Sequence, residues 1–490
     1  MNIVYYLYGA AIQGIQNFIF QTNELKDIVG ASELVEQVCT KAFDEFTGGQ
    51  NSILRAAGNI KHLFQSRKAC EKAVRYFPAK VMNMAPGITI SQAVVAFDDG
   101  NFEQAVGKLE QKLRIQRNRP VASLTLGLMG MVRSRKTGLP AVFEESGDFY
   151  DQAAGKKREI VGQAHYDLCQ KSFGIPNLKN RIAYDIGDIA SGNNWIAIVH
   201  ADGNGLGNIV RLIGRKPDVL KAFSSALNEA TCSSAQEAFK AVEPVFRDNK
   251  FIPIRPIVLG GDDMTVVIRG SLAMEYASAY LEAFERNTKE IFGKIVSQYP
   301  NLDEAQRCIL EAGLTACAGI AFVKSSYPFY YGYHLAESLC AKAKMDAKGF
   351  DDKRAPSCLM FHKVQDSFVE NYDDIIHREL IPYAGNTFVF GPYYLESCVP
   401  PMRWSVSELL SEVKLLDNVE GNAVKSGLRQ WMTLLHDKGE EGAYQKKERM
   451  LSLLEDDRLK RLIEKVIDEK GKRHAVYDVL SLRSIYQDIR

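Results

Sequence analysis

Residues 256–268 read PIVLGGDDMTVVI. Two apolar runs, each long enough for a strand, flank Gly260, Gly261, Asp262 and Asp263. Glycines followed by acids make a tight turn, so the segment predicts a β-hairpin with carboxylates at its tip. A hairpin alone buries too little to stand in water. Its partners are legible on either side. WIAIVH at 195–200 predicts a strand that runs into ADGNGLG, and residues 217–247 predict a helix. After the hairpin come a long helix over 271–298, a strand over 314–323 (LTACAGIAFV) and a helix over 330–348. Strand, helix, hairpin, helix, strand is the order of a ferredoxin-like unit.

The N-terminal part shows a weaker version of the same order. IVYYLY at 3–8 predicts a strand and GAAIQG a glycine-bounded turn. Apolar residues then recur at helical spacing from about Ile15 to Phe46, with a cap expected near Thr22 or Asn23. Strand-like runs over 53–64, an amphipathic helix in SRKACEKAVRYFPAKV and a strand over 88–97 complete the unit. A charged helix follows over 102–117. The stretch 118–192 is mixed, with turn signals at Gly138-Leu139-Pro140 and Gly174-Ile175-Pro176, and reads as a linker or small insert. No proline follows Pro401, and 404–490 predicts a helical bundle. The expected fold is therefore α+β: two ferredoxin-like domains at 1–117 and 193–365, an insert at 118–192, and a connector with helical bundle at 366–490. That division suits 490 residues at roughly 150 per domain.

Charge narrows the partners. Lys plus Arg number 61 and Asp plus Glu 60, so no global positive field draws the chain onto nucleic acid or anionic membrane. No apolar run approaches the roughly 18 residues of a membrane span, and the N-terminus has no basic segment of a secretory signal. The cytoplasm is the expected location. Nine scattered cysteines contain no CxxC pair, which fits reduced, mostly buried thiols rather than disulfides or a cysteine-built zinc site.

The chemistry concentrates in Asp202 with Asp262 and Asp263. Asp202 ends an apolar strand and precedes Gly203, Asn204, Gly205 and Gly207. Carboxylates on apolar strands are costly unless they meet a cation or water. On neighbouring strand ends, the three acids form a hard oxygen site for Mg²⁺ or Mn²⁺. Such a site holds a nucleotide phosphate and stabilises a leaving pyrophosphate. The adjacent glycines let backbone approach the phosphates. Taken singly, GGDD is an ordinary hairpin turn and DGNG an ordinary loop; their convergence carries the argument. Lys342, Lys344 and Lys348 end the last helix, where spacing alone reads as a solvated basic helix end. His200 reads as packing at its strand end, and His436-Asp437 as a surface pair.

The pieces IAIVHADGNGLG, PIVLGGDDMTVVI, LTACAGIAFVKSSYPF and YHLAESLCAKAKMDAK resemble the palm of the Cas10 family, the large subunits of type III CRISPR effectors. YGAAIQGIQNFIF, TNELKDIVGASELV and ILRAAGNIKHLF resemble that family's first palm. The likeness spans about residues 1–365. It implies two facing palms related to GGDEF cyclases, conversion of ATP with divalent metal into cyclic oligoadenylates that act as antiviral second messengers, and CRISPR effector subunits, guide RNA and target RNA as partners. It places Asp202, Asp262 and Asp263 at the metal and Gly260, Gly261, Gly203, Gly207 and Lys344 near the nucleotide. Ser32, in GASELV, falls near the acceptor nucleotide.

Three departures qualify that reading. The family commonly opens with an HD-type nuclease domain, whereas this sequence starts in the first palm, so DNase activity is not expected. The stretch LGLMGMVRSRKTGLPAVF keeps a GLPA turn but lacks the cysteines of a zinc module. The usual second acid after the first strand is Asn204, which offers a neutral oxygen and one charge fewer. The first palm's hairpin, Ala56-Ala57-Gly58-Asn59, carries no carboxylate and is expected to be silent. Four readings stand at this level: a cyclase, an RNA-guided effector scaffold with regulated cyclase, a stand-alone palm cyclase or polymerase, and a non-catalytic palm.

Overall fold

The computed structural model describes residues 4–486 apart from 23, 48–51, 57, 99–100, 120–127, 177, 179, 191–193, 215, 366–371, 383–384 and 418. The N-terminal unit comprises β1 (Val4–Gln13), α1 (Ile15–Ile19), α2 (Leu25–Cys39), α3 (Lys41–Thr47), β2 (Ser52–Ala56), β3 (Asn59–Phe64), α4 (Arg67–Met84), β4 (Thr89–Asp98) and α5 (Phe102–Arg117). A ribbon of β5 (Phe143–Glu145) and β6 (Asp148–Tyr150) leads to α6 (Gln152–Phe173) and α7 (Ile186–Ile189). The second unit holds β7 (Trp195–Gly203), α8 (Leu206–Ile213), α9 (Pro217–Phe246), β8 (Ile254–Gly260), β9 (Asp263–Arg269), α10 (Ala273–Gln298), α11 (Glu304–Ala312), β10 (Ala316–Lys324), α12 (Phe329–Phe350) and β11 (Cys358–Lys363). Then come α13 (Tyr372–Ile375), β12 (Tyr393–Tyr394), α14 (Val406–Leu415), α15 (Val419–Leu453), α16 (Asp457–Val466) and α17 (Val476–Tyr486). None of the described helices is long and apolar enough to cross a membrane.

The two sheets repeat one topology. Strand order is β2-β3-β1-β4 in the first and β8-β9-β7-β10 in the second, where β11 and β12 extend the sheet beyond β10. Both four-strand cores are antiparallel, and β11 joins parallel to β10 after the α12 crossover. The internal repeat is thus present in the fold. Helices cover the second sheet, which explains why β7 and β10 read as nearly unbroken apolar runs. α12 lies directly on β10 and β7. A Cβ at Gly319 would stand 1.9 Å from the Ala336 carbonyl oxygen, and one at Gly332 2.5 Å from Ile198 Cδ1.

Several local expectations are corrected. GAAIQG is not a turn: β1 runs on to Gln13, held between β3 and β4, and only Gly14 turns (φ 71°). The helix expected from Ile15 to Phe46 is three helices. Glu24, not Thr22, stands at the N-cap of α2, because the Thr22 hydroxyl donates to buried Asp27 (3.0 Å). Asn23 lies outside the described residues. The stretch 118–192 contains a 22-residue helix, α6, bounded by the Asp151 side-chain cap on the Ala154 amide (3.0 Å) and by left-handed Gly174. After Pro401 the described chain is largely helical, as expected.

α6 ties the two units together. Gly30 on α2 meets it backbone to backbone, since a Cβ there would fall 2.1 Å from the Lys157 carbonyl oxygen. Lys171 pairs with Glu36 on α2 (2.6 Å), and Phe173 stacks on Phe239 of α9 at 4.5 Å between centroids. The units also touch directly through Phe20 and Tyr333, 4.0 Å apart, and through a Gln16–Glu337 hydrogen bond of 2.6 Å. The terminal helices dock on the far sheet edge, where the Tyr393 hydroxyl donates to buried Asp478 (2.6 Å). Six of the nine cysteines are buried, while Cys308 and Cys398 are exposed and Cys232 is half-buried.

Candidate active site

The β8–β9 hairpin closes with Gly260 paired to Asp263, leaving Gly261 and Asp262 as a two-residue loop. Gly261 takes the left-handed first position (φ 64°), which a residue with a Cβ resists. The Thr231 hydroxyl of α9, fully buried, lies 2.6 Å from the Gly261 carbonyl oxygen and 2.9 Å from that of Leu227. The helix thereby fixes the height of the turn. β7 is the next strand: His200 pairs with Thr265 and Ala201 with Met264, so Asp202 comes level with the start of β9. Successive side chains alternate faces, and the even positions of β7 face α12. His200, Asp202 and Asp263 therefore share that face.

Carboxylate oxygens of Asp202, Asp262 and Asp263 all lie within 4.8 Å of one another. Gly203 permits the approach, because a Cβ there would stand 2.9 Å from Asp262 Cβ. Burial and the Asp202 charge push the Asp262 carboxyl up to about 7, and burial with both neighbouring acids pushes Asp263 well above the ordinary range. Lys344 opposes this. Its ammonium pairs with Asp202 and donates to the Gly203 carbonyl oxygen (2.9 Å). Lys344 therefore points into the cluster instead of ending a solvated helix face. Lys342 pairs with Asp373 (2.5 Å) and Lys348 is exposed.

His200 is buried, 3.0 Å through Nδ1 from the Thr265 hydroxyl, and burial lowers its pKa. It packs at the strand end, as expected. Asn204 donates through Nδ2 to Thr315 (3.1 Å) and Cys317 (3.3 Å), anchoring the end of β7 to β10. Its Oδ1 is a buried acceptor with no partner among the described residues. His436 and Asp437 form an exposed pair.

A cavity of about 640 Å³ opens beside the acids, within the size range of ligand pockets. The second unit supplies Gly260, Gly261, Asp263, Val258 and Tyr333, with Lys221, Ser224, Ser225 and Asn228 in a row along α9. The first unit supplies Gln16 and Phe20 at α1, Ser32, Glu33 and Glu36 of α2, and Ser52 and Gly58 of the β2–β3 hairpin. Leu168 of α6 adds a third wall. Ser32 and the hairpin glycines Gly260 and Gly261 thus reach one space from opposite units, while Gly203 is buried against Asp262 outside that lining. Gly207 does not reach it either: it sits exposed on the first turn of α8 and lines no described cavity. In the first unit's hairpin, Gly58 and Asn59 bring no acid, and Ala57 lies outside the described residues.

Sequence reasoning missed the α9 row and Thr231. Positions 221, 224, 225 and 228 have the spacing of one helix face, but a solvated face has the same spacing. It also missed α6 as a wall, although Asp151 and Gly174 mark a helix start and stop.

The profile of the family Cas10/Cmr2, second palm domain, matches residues 195–351. No curated protein sequence matches the chain. Among solved structures, the fold is similar to a Csm1–Csm4 cassette in complex with cA4, at 15% identity and TM-score 0.56, covering 100% of this chain and 70% of that one. A Csm1–Csm4 cassette with pppApApA matches at 14% identity and TM-score 0.58, covering 99% and 69%. The apo Csm1–Csm4 cassette matches at 14% and 0.53, covering 99% and 70%. The profile match falls on the strands that carry Asp202, Asp262 and Asp263, so residues 195–351 of this chain are similar to the second palm domain of Cas10/Cmr2, and the paired ferredoxin-like units share the fold of the Csm1 structures.

Proposed function

We propose that the chain is a metal-dependent nucleotidyltransferase that joins ATP into cyclic oligoadenylate, an antiviral second messenger, as the large subunit of a type III CRISPR effector. The observation that carries this is the meeting of three carboxylates, within 4.8 Å, at the edge of a cavity built by two palms. The donor set suits a divalent cation. All three ligands are hard oxygens, and the burial and mutual repulsion that raise Asp262 and Asp263 are what a cation relieves. Mg²⁺ or Mn²⁺ held by Asp202, Asp262 and Asp263 would neutralise charge on the transferring phosphoryl group.

The chain's own residues supply the rest. A ribose hydroxyl oxygen attacks the α-phosphorus, the bond to the β-phosphate bridge breaks, and pyrophosphate leaves while the hydroxyl proton passes to solvent. Such a transfer depends on alignment and charge more than on a protein base. Gly260 and Gly261 offer backbone without side-chain obstruction. Lys344 adds positive charge beside Asp202. Ser32, which lines the cavity from the first unit, would hold the acceptor nucleotide. The Csm1 structures similar in fold were solved with Csm4 and with ATP-derived ligands, which supports a partner subunit and an adenine nucleotide here. Guide and target RNA would then be bound mainly through the partners, given the near-neutral charge of this chain.

Equilibrium binding of ATP tests the reading. ATP should bind with Mn²⁺ or Mg²⁺ and lose most of that affinity in EDTA and in the Asp262→Ala, Asp263→Ala double variant. Binding that ignores both metal and variant, or no binding at all, overturns it.

A further inference from the structure

Three of the buried cysteines lie together beneath α12. Cys317 of β10 and Cys358 of β11 are register partners in a parallel strand pair, and their sulfurs are 3.6 Å apart. Both residues are wholly buried. The Cys358 thiol donates to the Ala343 carbonyl oxygen of α12 (3.4 Å). Cys340, on the same helix, spends its thiol on the Cys317 carbonyl oxygen (3.2 Å). On its other side Cys317 is the register partner of Asp202 on β7, and its sulfur accepts from Asn204 Nδ2 (3.3 Å). The thiol pair therefore begins one strand from the acid cluster. It is also bonded to the residue two positions beyond Asp202.

We infer that Cys317 and Cys358 are a reversible oxidation site, closed to a disulfide by hydrogen peroxide, and that closure loosens the metal site beside it. The bridge itself is independent of the nucleotidyltransferase reading; its effect on Asp202 rests on that reading. Neighbouring strands stand about 4.8 Å apart, inside the roughly 4.4–6.8 Å between Cα atoms that a disulfide needs. Side-chain rotation then brings the sulfurs from 3.6 Å to the bonded distance of about 2.0 Å. One sulfur attacks the peroxide, the O–O bond breaks, and a sulfenic acid forms with release of water. The second sulfur displaces the sulfenic oxygen, which leaves as a second water, and the S–S bond forms. The two thiols lose two electrons and two protons, and the peroxide takes them. Solvent stands one strand away, since the Asp202 side chain is 35% exposed. Closure draws the Cys317 sulfur toward β11 and away from Asn204. The end of β7 is then left to the Asn204–Thr315 bonds.

The test treats the full chain with hydrogen peroxide, blocks free thiols, digests without reductant and maps the peptides by mass spectrometry. Mn²⁺ affinity is measured by electron paramagnetic resonance before and after. A Cys317–Cys358 linked peptide should form and vanish with dithiothreitol. Mn²⁺ should bind about fivefold more weakly to the oxidised protein, the worth of one hydrogen bond, and recover on reduction. Cys358→Ala should keep its Mn²⁺ affinity through the same treatment. Three results overturn the inference: no linked peptide once the exposed Cys308 and Cys398 are fully oxidised, a bridge to Cys340 in its place, or linked protein with unchanged Mn²⁺ affinity. A loss of affinity that persists in Cys358→Ala overturns it as well. If the reduced protein binds no Mn²⁺, the metal reading falls, and the peptide map alone decides the bridge.

Discussion

Asp262→Asn should stabilise the metal-free protein at alkaline pH while abolishing its response to metal. In the folded chain the Asp262 carboxyl is pushed from 3.8 up to about 7, by burial first and then by Asp202. That displacement corresponds to roughly 4 kcal/mol at about 1.4 kcal/mol per pH unit. The titration is shared with Asp263, so one substitution relieves part of it, on the order of 2 kcal/mol. The sign follows from linkage. Between pH 4 and 7 the folded state keeps a proton that the unfolded chain has lost, so wild type loses stability as pH rises through that window. Above about 7 the full penalty is present. Asparagine, which does not ionise, removes nothing near pH 4 and the most above 7. Thermal unfolding in EDTA should therefore show Asp262→Asn melting roughly 4–8 °C above wild type near pH 8, with a smaller gain near pH 5. Adding Mn²⁺ near pH 8 should raise wild type and leave the variant nearly unmoved. A variant that melts below wild type in EDTA near pH 8, or gains equally at both pH values, would refute the electrostatic account of the cluster.

Two further substitutions address the scaffold and the cation of the site. Thr231→Val removes the hydroxyl 2.6 Å from the Gly261 carbonyl oxygen, and nucleotidyl transfer should fall about tenfold or more while Thr231→Ser retains most of it; a loss in Thr231→Ser with none in Thr231→Val would show that the methyl group, not the hydrogen bond, sets the turn. Lys344→Met removes the charge that holds Asp262 and Asp263 down, so the acid limb of the pH–rate profile should move to higher pH and transfer near neutrality should drop about tenfold; an unmoved limb would mean that Lys344 does not act on the acids.

What could be read from the sequence divides along physical lines. The GGDD hairpin and the Asp202 strand were legible because apolar runs and turn glycines are local signals, and a shared sheet edge follows from the ferredoxin-like order. The C-terminal helices were legible for the same reason. The breaks in 15–46 were not, because they are set by tertiary contacts: the Thr22 hydroxyl is spent on Asp27, and α1 is pinned through Phe18 by a lysine far along the chain. GAAIQG looked like a turn because its glycines and small residues lack strand propensity. Gly9 is instead small to admit Leu109 of α5, which would lie 2.8 Å from a Cβ there. Lys344 could not be told from a solvated lysine until the α12 crossover placed it over Asp202. Ser32 came only from family resemblance, since a serine on a helix carries no signal of its own. Gly207 was drawn in by its nearness to Asp202 in the chain, but the left-handed turn at Gly205 sends the backbone into α8.

The central claim is that the Asp202–Asp262–Asp263 cluster joins nucleotides held between the two palms. Its most direct test incubates the purified protein with each nucleoside triphosphate and Mg²⁺ or Mn²⁺, with and without partner subunits and RNA, and resolves products by chromatography and mass spectrometry. The account predicts cyclic oligoadenylate and released pyrophosphate from ATP, both absent from the Asp262→Ala, Asp263→Ala variant. Product that persists in that variant, or no phosphodiester product under any of these conditions, would contradict it.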